Sequence, residues 1–193
     1  MKKFEIEEIK KMLGIEFSFL YDFLNPIVRN LELNKDATIL DVGTGQGRMA
    51  IILALNNYKV LTGEPEMDNS EYAKQDWVEK AKLVNVDHLI TFKSFSAEKM
   101  PFEDKSFDAI FILGTFHHIN DRIAAFKEVN RVIRPSGRIC IIEPTQRGIK
   151  AIRKRFPNHP DAVDPRDYTE GYSLNVEIKR GSLFDAFIFN VNK

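Results

Sequence analysis

An apolar run that breaks at once into glycines, TILDVGTGQGRMA (Thr38–Ala50), constrains this chain more than any other stretch. Three of the ten glycines, Gly43, Gly45 and Gly47, fall between a strand-like segment and the helix-like RMAIILALNN. Glycine has no Cβ and tolerates positive φ, so a turn of this kind lets a ligand lie directly against the backbone. The helix that follows presents unsatisfied N–H groups and a partial positive charge at its start. Tight strand-to-helix packing is the other reason to place glycines here, and the turn alone does not decide between the two. The spacing does exclude two classes. A dinucleotide site wants G-x-G-x-x-G, but Arg48 stands where the last glycine would be, and no Gly-Lys-Ser/Thr of a phosphate loop follows.

Beyond the turn, strand and helix patterns alternate. The strand-like runs are ATILDVG, YKVLTGE, LITFKSFS, FDAIFILGT and RICIIEPT. Helical patterns lie between them: RMAIILALNN, a segment from about Ser70 to Val84, and HHINDRIAAFKEVNRVI. The last is capped by Asn120 or Asp121, with Ile123, Phe126, Val129 and Ile133 on one face. Nearly unbroken apolar strands are expected of a parallel sheet covered on both faces. Residues 4–35 are helical in pattern, with Phe17, Leu20, Phe23, Leu24, Ile27, Val28 and Leu31 at three- and four-residue steps. Pro26 must begin or kink one of these helices. The tail YSLNVEIKRGSLFDAFIFNVNK breaks the rhythm and reads as two strands joined around Gly181 and Ser182, an antiparallel hairpin on the sheet edge. The expected fold is α/β, a doubly wound, mostly parallel seven-stranded sheet with an antiparallel C-terminal hairpin. One domain is expected over residues 1–193, divided into a helical cap (1–35), a cofactor-binding core (36–145), a possible lid (146–173) and the hairpin (174–193).

Composition narrows the partners. Lys+Arg and Asp+Glu both number 28, so the formal charge is zero, and the basic excess that a polyanionic partner selects is missing. Nucleic acid is disfavoured as a main partner. No apolar run approaches a membrane span, and MKKFEIEEIKKML carries no apolar h-region, so a cytoplasmic protein without a membrane partner is expected. The single cysteine, Cys140 in GRICIIEP, excludes an internal disulfide and a multi-cysteine metal site, and its apolar surroundings suit a buried inert thiol.

Glu64 ends the second strand-like run, and a carboxylate about 20 residues past such a glycine turn is placed to accept both hydroxyl protons of a ribose. At this point the chain resembles the class I S-adenosyl-L-methionine (SAM)-dependent methyltransferases, and within them the small-molecule group that includes quinone-biosynthesis enzymes. The resemblance rests on ILDVGTGQGRMA, VLTGE, AEKMPFEDKSFDAIF and HHINDRIAAFKEVNRVIRPSGRICIIEP, in order over Thr38–Thr145. It implies that Asp41, Gly43, Thr44, Gly45 and Gly47 contact the methionine part of SAM, with Asp41 receiving its ammonium. It further implies that Glu64 binds the ribose and that Pro65 presses on the adenine. Ser96, Ala97 and Glu98 stand where the family contacts the adenine amino group, with Ser96 in place of the usual Asp. Leu113 and Gly114 would close the methionine pocket through backbone carbonyls.

A hydroxyl or amine acceptor benefits from a general base, and the segments that follow the fourth and fifth strands offer His117, His118 and Glu143. The resemblance also implies a structural or cofactor-edge role for a His at 118. Lys150, Arg153, Lys154 and Arg155 read as a solvated helix face rather than an anion patch. In PNHPDAVDPRDY, His159, Asp161 and Asp164 could suggest a metal, but three prolines make an irregular loop, and no metal is expected. Tyr21 is the aromatic of the N-terminal segment best suited to cap a pocket. With little inserted mass for macromolecular docking, the expected function is SAM-dependent methyl transfer to a small molecule. The alternatives are a non-catalytic protein of this fold that binds SAM or its demethylated product, and a methyltransferase acting on a macromolecule. The sequence says nothing of oligomeric state.

Overall fold

A computed structural model describes residues 4–66 and 76–191. The chain divides into two compact units, residues 1–94 and 95–193. Among the described residues, seven strands form one mixed sheet in the order β3-β2-β1-β4-β5-β7-β6. They span β1 Ile39–Val42, β2 Val60–Gly63, β3 Ile90–Phe92, β4 Phe107–Leu113, β5 Ile133–Pro144, β6 Leu174–Lys179 and β7 Phe184–Val191. No helix among the described residues is long and apolar enough to cross a membrane.

The first unit opens with two helices, α1 (Ile6–Leu13) and α2 (Ile15–Asn30). The break between them falls at Gly14, whose φ of 88° only glycine adopts readily. Pro26, expected to start or kink a helix, lies inside α2; it lacks the N–H that would bond the Asp22 carbonyl. Leu20, Leu24, Ile27 and Val28 give α2 its buried stripe. The parallel pairs β1–β2 and β2–β3 follow, with α3 (Arg48–Leu55) between the first two strands and α4 (Trp77–Leu83) between the next two. Helix α3 is almost wholly buried, which is why its sequence is apolar all round. The part of the expected fourth helix from Ser70 to Gln75 lies outside the described residues. Strand β3 is shorter than LITFKSFS suggests, because Thr91 and Phe92 are exposed and little burial rewards extending it.

In the second unit, β4 and β5 pair in parallel, and β7 runs antiparallel to both β5 and β6. The expected C-terminal hairpin is present, with β7 the inner strand and β6 the edge. Residues 134–137, read as a turn before the fifth strand, are instead extruded from it: Phe107 pairs with Ile133, and the register resumes at Ala109 with Arg138. Ser136, at φ 65°, takes the bend. Helix α5 (Arg122–Val132) is capped by Asp121, whose side chain accepts from Ala124 N at 2.9 Å. Phe126, Val129 and Val132 face inward, whereas Ile123, expected on that face, is 72% exposed. Phe126 packs edge-on to Phe189 of β7, 5.8 Å between centroids, and beside Tyr172 at 5.6 Å. Helix α6 (Gln146–Ile152) and a 3-10 turn (Pro165–Tyr168) occupy the segment expected to be a lid.

Candidate functional site

In the first unit, the Gly43–Gly47 turn leaves β1 with all three glycines at positive φ, 89°, 45° and 69°. A side chain at Gly47 would also meet Trp77 Cβ at 2.7 Å, so the packing reason for a glycine and the conformational one coincide there. Beneath the turn, Thr62 Oγ1 donates to Asp41 Oδ2 at 2.8 Å, and Thr44 Oγ1 lies 2.9 Å from Thr62 Oγ1. The two hydroxyls thus run in series toward the carboxylate. Asp41 is buried, and its second oxygen, Oδ1, has no hydrogen-bond partner among the described residues. Desolvation, opposed by the Thr62 hydrogen bond and reinforced by the nearby Glu64 charge, pushes the Asp41 carboxyl up to about 7. A buried oxygen lacking a donor, beside a turn of bare backbone, suits the ammonium group of an amino-acid moiety.

Glu64 follows β2 directly. Its Oε2 accepts the Gly45 N–H at 2.8 Å, and its own carbonyl accepts the Ser94 hydroxyl at 3.1 Å. The carboxylate is therefore held at the glycine turn, as a ribose ligand must be, while Pro65 beside it is exposed. Tyr21 lies on α2 against Phe17, 6.0 Å between ring centroids, and is half-buried. Arg48 pairs with Glu16, and both Arg48 and Lys80 donate to Gln46 Oε1 inside the same turn.

In the second unit, Ser96 makes a local turn: its hydroxyl accepts Glu98 N at 3.2 Å. Glu98 Oε1 accepts Asp121 N at 2.8 Å, so this carboxylate is committed to the start of α5. Ala97 is buried. Leu113 ends β4, and its carbonyl accepts the Thr115 hydroxyl at 3.1 Å. Gly114 follows at φ 59° and donates to Ile142 O at 2.8 Å.

A 3-10 turn then carries Phe116, His117 and His118. His117 is buried, with Nδ1 2.8 Å from Glu143 Oε2 on β5 and Nε2 3.5 Å from His159 Nε2. His118 is half-buried and lies against both rings, 4.2 Å from His117 and 4.9 Å from His159 between centroids. The other Glu143 oxygen, Oε1, is buried and without a hydrogen-bond partner among the described residues. His159 Nδ1 lies 2.9 Å from Pro160 O, and burial holds this imidazole below its usual range. Arg153 Nε donates to His159 O at 2.9 Å and its guanidinium pairs with Asp161 at 3.0 Å, while Arg122 donates to His117 O at 2.8 Å. Arg153, read from sequence as part of a solvated face, is thus a clamp on the loop. Asp164 turns the other way, to Arg166. Sequence reasoning offered His117, His118 and Glu143 but did not join His159 to them; only the prolines that fold Pro157–Pro160 back could have hinted at it. Cys140 is buried, with its thiol pushed up to about 12, as an inert core residue should be.

Comparison with known proteins gives the following. The methyltransferase-domain family matches residues 40–141. A demethylmenaquinone methyltransferase of Staphylococcus haemolyticus is 32% identical over 122 residues, 62% of this chain and 48% of that protein. The 27-O-demethylrifamycin SV methyltransferase of Amycolatopsis mediterranei is 31% identical over 129 residues, 65% of this chain and 46% of its own length. The chain therefore spans about half the length of these curated relatives. Among solved structures, a SAM-dependent methyltransferase from Aquifex aeolicus superposes with a TM-score of 0.62 at 22% identity, covering 98% of this chain and 100% of that one. A protein from Methanococcus maripaludis gives a TM-score of 0.68 at 20% identity, covering 100% and 96%.

Proposed function

Because the chain belongs to the methyltransferase-domain family, matched over more than half its length, we propose that it binds SAM and transfers its methyl group to a small organic acceptor. The observation that carries the proposal is the pairing at the glycine turn: three positive-φ glycines over a buried, half-partnered Asp41, with Glu64 held on Gly45 N–H. Asp41 Oδ1 receives the cofactor ammonium. Gly43, Thr44, Gly45 and Gly47 let the amino-acid part lie on the backbone, and Glu64 takes the ribose hydroxyls. Pro65, exposed at the end of β2, offers a flat apolar surface to the adenine.

In the second unit, Ser96, Ala97, Glu98, Leu113 and Gly114 are proposed as the remaining cofactor contacts. With Glu98 turned to Asp121, the adenine amino group falls to backbone carbonyls and to the Ser96 hydroxyl. When bound, SAM supplies an electrophilic methyl on a sulfonium, so the protein's own work is binding, orientation and exclusion of water. Orientation is worth up to about 7–11 kcal/mol when the reacting atoms are held in line. His117 and His118 are the proposed candidates for a general base where the acceptor is a hydroxyl or an amine.

The names of the relatives, a rifamycin and a menaquinone precursor among their acceptors, support a small organic acceptor rather than a macromolecule. A cytoplasmic location is part of the same proposal. Calorimetry with SAM and with its demethylated product tests the cofactor assignment, and a product screen over thiols, phenols, amines and acids tests transfer. Binding of neither ligand overturns the reading. Binding without transfer to any acceptor makes the protein a sensor of the cofactor.

A further inference from the structure

We propose that His117, His118 and His159 form a three-imidazole site for a first-row divalent transition-metal ion of zinc type, oriented by Glu143. The three histidines each offer a ring nitrogen, and these atoms lie within 4.8 Å of one another. They come from segments 42 residues apart, so the fold rather than local sequence brings them together.

The hydrogen bonds settle which nitrogens point inward. A backbone carbonyl can only accept, so the 2.9 Å contact to Pro160 O requires the proton of His159 on Nδ1. Glu143 Oε2, at 2.8 Å, likewise holds the proton of His117 on Nδ1. In the neutral rings both Nε2 atoms then carry lone pairs, and these two atoms face each other at 3.5 Å. Two acceptors brought that close need a cation between them. Two imidazoles on a tetrahedral zinc, with Zn–N about 2.0–2.1 Å, have their nitrogens about 3.3–3.4 Å apart. The pair is within about 0.2 Å of that spacing, and His118 brings a third ring nitrogen within 4.8 Å of the other two.

The surrounding groups are those a metal site requires. Metal-bound imidazoles characteristically donate their other N–H to a carboxylate or a backbone carbonyl, which fixes the ring and raises its basicity. Here one ring has the carboxylate and another the carbonyl. Glu143 also keeps a buried oxygen, Oε1, without a hydrogen-bond partner among the described residues, an unmet polar demand beside the three rings. Arg122 and Arg153 donate to the backbone carbonyls of His117 and His159 and so fix the two segments that carry the rings. Three imidazoles leave a fourth tetrahedral position for water or an oxygen or sulfur ligand.

The site does not depend on methyl transfer, and its test needs no SAM. The full chain is stripped with chelator and titrated with Co2+, then with Zn2+, reading visible ligand-field absorption and heat. One ion per chain is expected, with tetrahedral cobalt bands that Zn2+ abolishes. The chain has only four histidines, so His88→Ala is the control and leaves binding unchanged. His159→Ala and His118→Ala remove the tetrahedral spectrum, and the half-buried His118 position keeps the test valid if the buried variant fails to fold. Glu143→Gln weakens the affinity by about 10–100-fold while the spectrum keeps its shape. Absence of cobalt bands and of binding heat at micromolar metal in the unaltered chain overturns the proposal, because a proton shared by two imidazoles would account for the same approach. Binding that persists in both histidine variants, or that His88→Ala removes, overturns it equally.

Discussion

Each of the two units buries a carboxylate with one oxygen partnered and the other left without a donor, and the two are built in opposite ways. Asp41 belongs to a strand, and the polar groups that act on it come from the next turn and the neighbouring strand: Thr44, Thr62 and Glu64. Its partner is a neutral hydroxyl, so its charge is hardly offset and the carboxyl is pushed up to about 7. Glu143 is partnered by an imidazole, a group able to take positive charge, and its surroundings come from distant segments at Phe116–His118 and Pro157–Pro160. A neutral partner leaves room for a cationic ligand that comes and goes. An imidazole partner passes the demand on to its own second nitrogen, which suits a resident ion.

The largest expected effect separates the two carboxylates directly. Asp41 is held well above its ordinary 3.8. The folded state therefore binds its proton more tightly than the unfolded chain does. Its contribution to stability is most favourable below about pH 4, falls as pH climbs toward 7, and is level above that. Asp41→Asn removes this slope. Denaturant titrations should show the variant gaining on the parent between pH 4 and 7, by up to about 4 kcal/mol at 1.4 kcal/mol per pK unit. The same variant should bind SAM about 10–100-fold more weakly at pH 8, the loss of a charge-assisted hydrogen bond. In the parent, SAM affinity should rise with pH through about 7. A variant that is destabilised at pH 8 would mean that Asp41 already has a cationic partner, as Glu143 is argued to have.

Two glycines in the turns that follow β1 and β4 sharpen the comparison at the level of the backbone. Gly47 and Gly114 both have positive φ, 69° and 59°, but a side chain at Gly47 meets Trp77 Cβ at 2.7 Å and one at Gly114 meets nothing within 4 Å. Alanine at either carries a conformational cost of about 1–2 kcal/mol. Gly47→Ala adds an overpacking cost of about 1–3 kcal/mol. Thermal unfolding should therefore show Gly47→Ala as clearly the more harmful. Equal losses would mean that α4 moves aside at no cost and that only the backbone needs the glycine.

The same contrast explains how far the sequence could be read. The glycine turn, Asp41, Glu64 and the alternation of strands were legible because each is local: an apolar run, a spacing, a residue at a strand end. The C-terminal hairpin was legible for the same reason. Three features were not, and all depend on tertiary contact. His159 joins His117 only when the loop after α6 folds back under the grip of Arg153, and no periodicity marks that return. The bulge at residues 134–137 reads as a turn because RPSG has turn chemistry, while the pairing of Ile133 with Phe107 that keeps it in the strand is long-range. The helix break at Gly14 rather than Pro26 reflects burial of the α2 stripe on both sides of the proline, which holds the helix together across a missing hydrogen bond.

A smaller effect is expected at Arg153, where the second site is held rather than formed. Its guanidinium is part-exposed, so the Asp161 pair contributes little, and the hydrogen bond to His159 O is worth about 0.5–1.5 kcal/mol. Arg153→Met keeps the aliphatic stem and should lower stability by about that amount, read by denaturant titration, with SAM affinity unchanged. A loss of SAM affinity as large as that of Asp41→Asn would show that Arg153 serves the cofactor as well as the loop.

The smallest effect tests a residue that the spacing of α5 assigned to its buried face. Ile123 fits the three- and four-residue spacing of α5 but stands 72% exposed, one turn before the buried Phe126. The stripe begins only where β7 and the Tyr172 segment cover the helix, so Ile123 has nothing to pack against. Ile123→Ser should leave the unfolding midpoint within about 0.5 kcal/mol of the parent, the range for surface positions. Phe126→Ala, three residues on, should cost about 3–5 kcal/mol. A loss at Ile123 of more than about 1 kcal/mol would mean that its side chain is covered in solution, against the 72% exposure seen here.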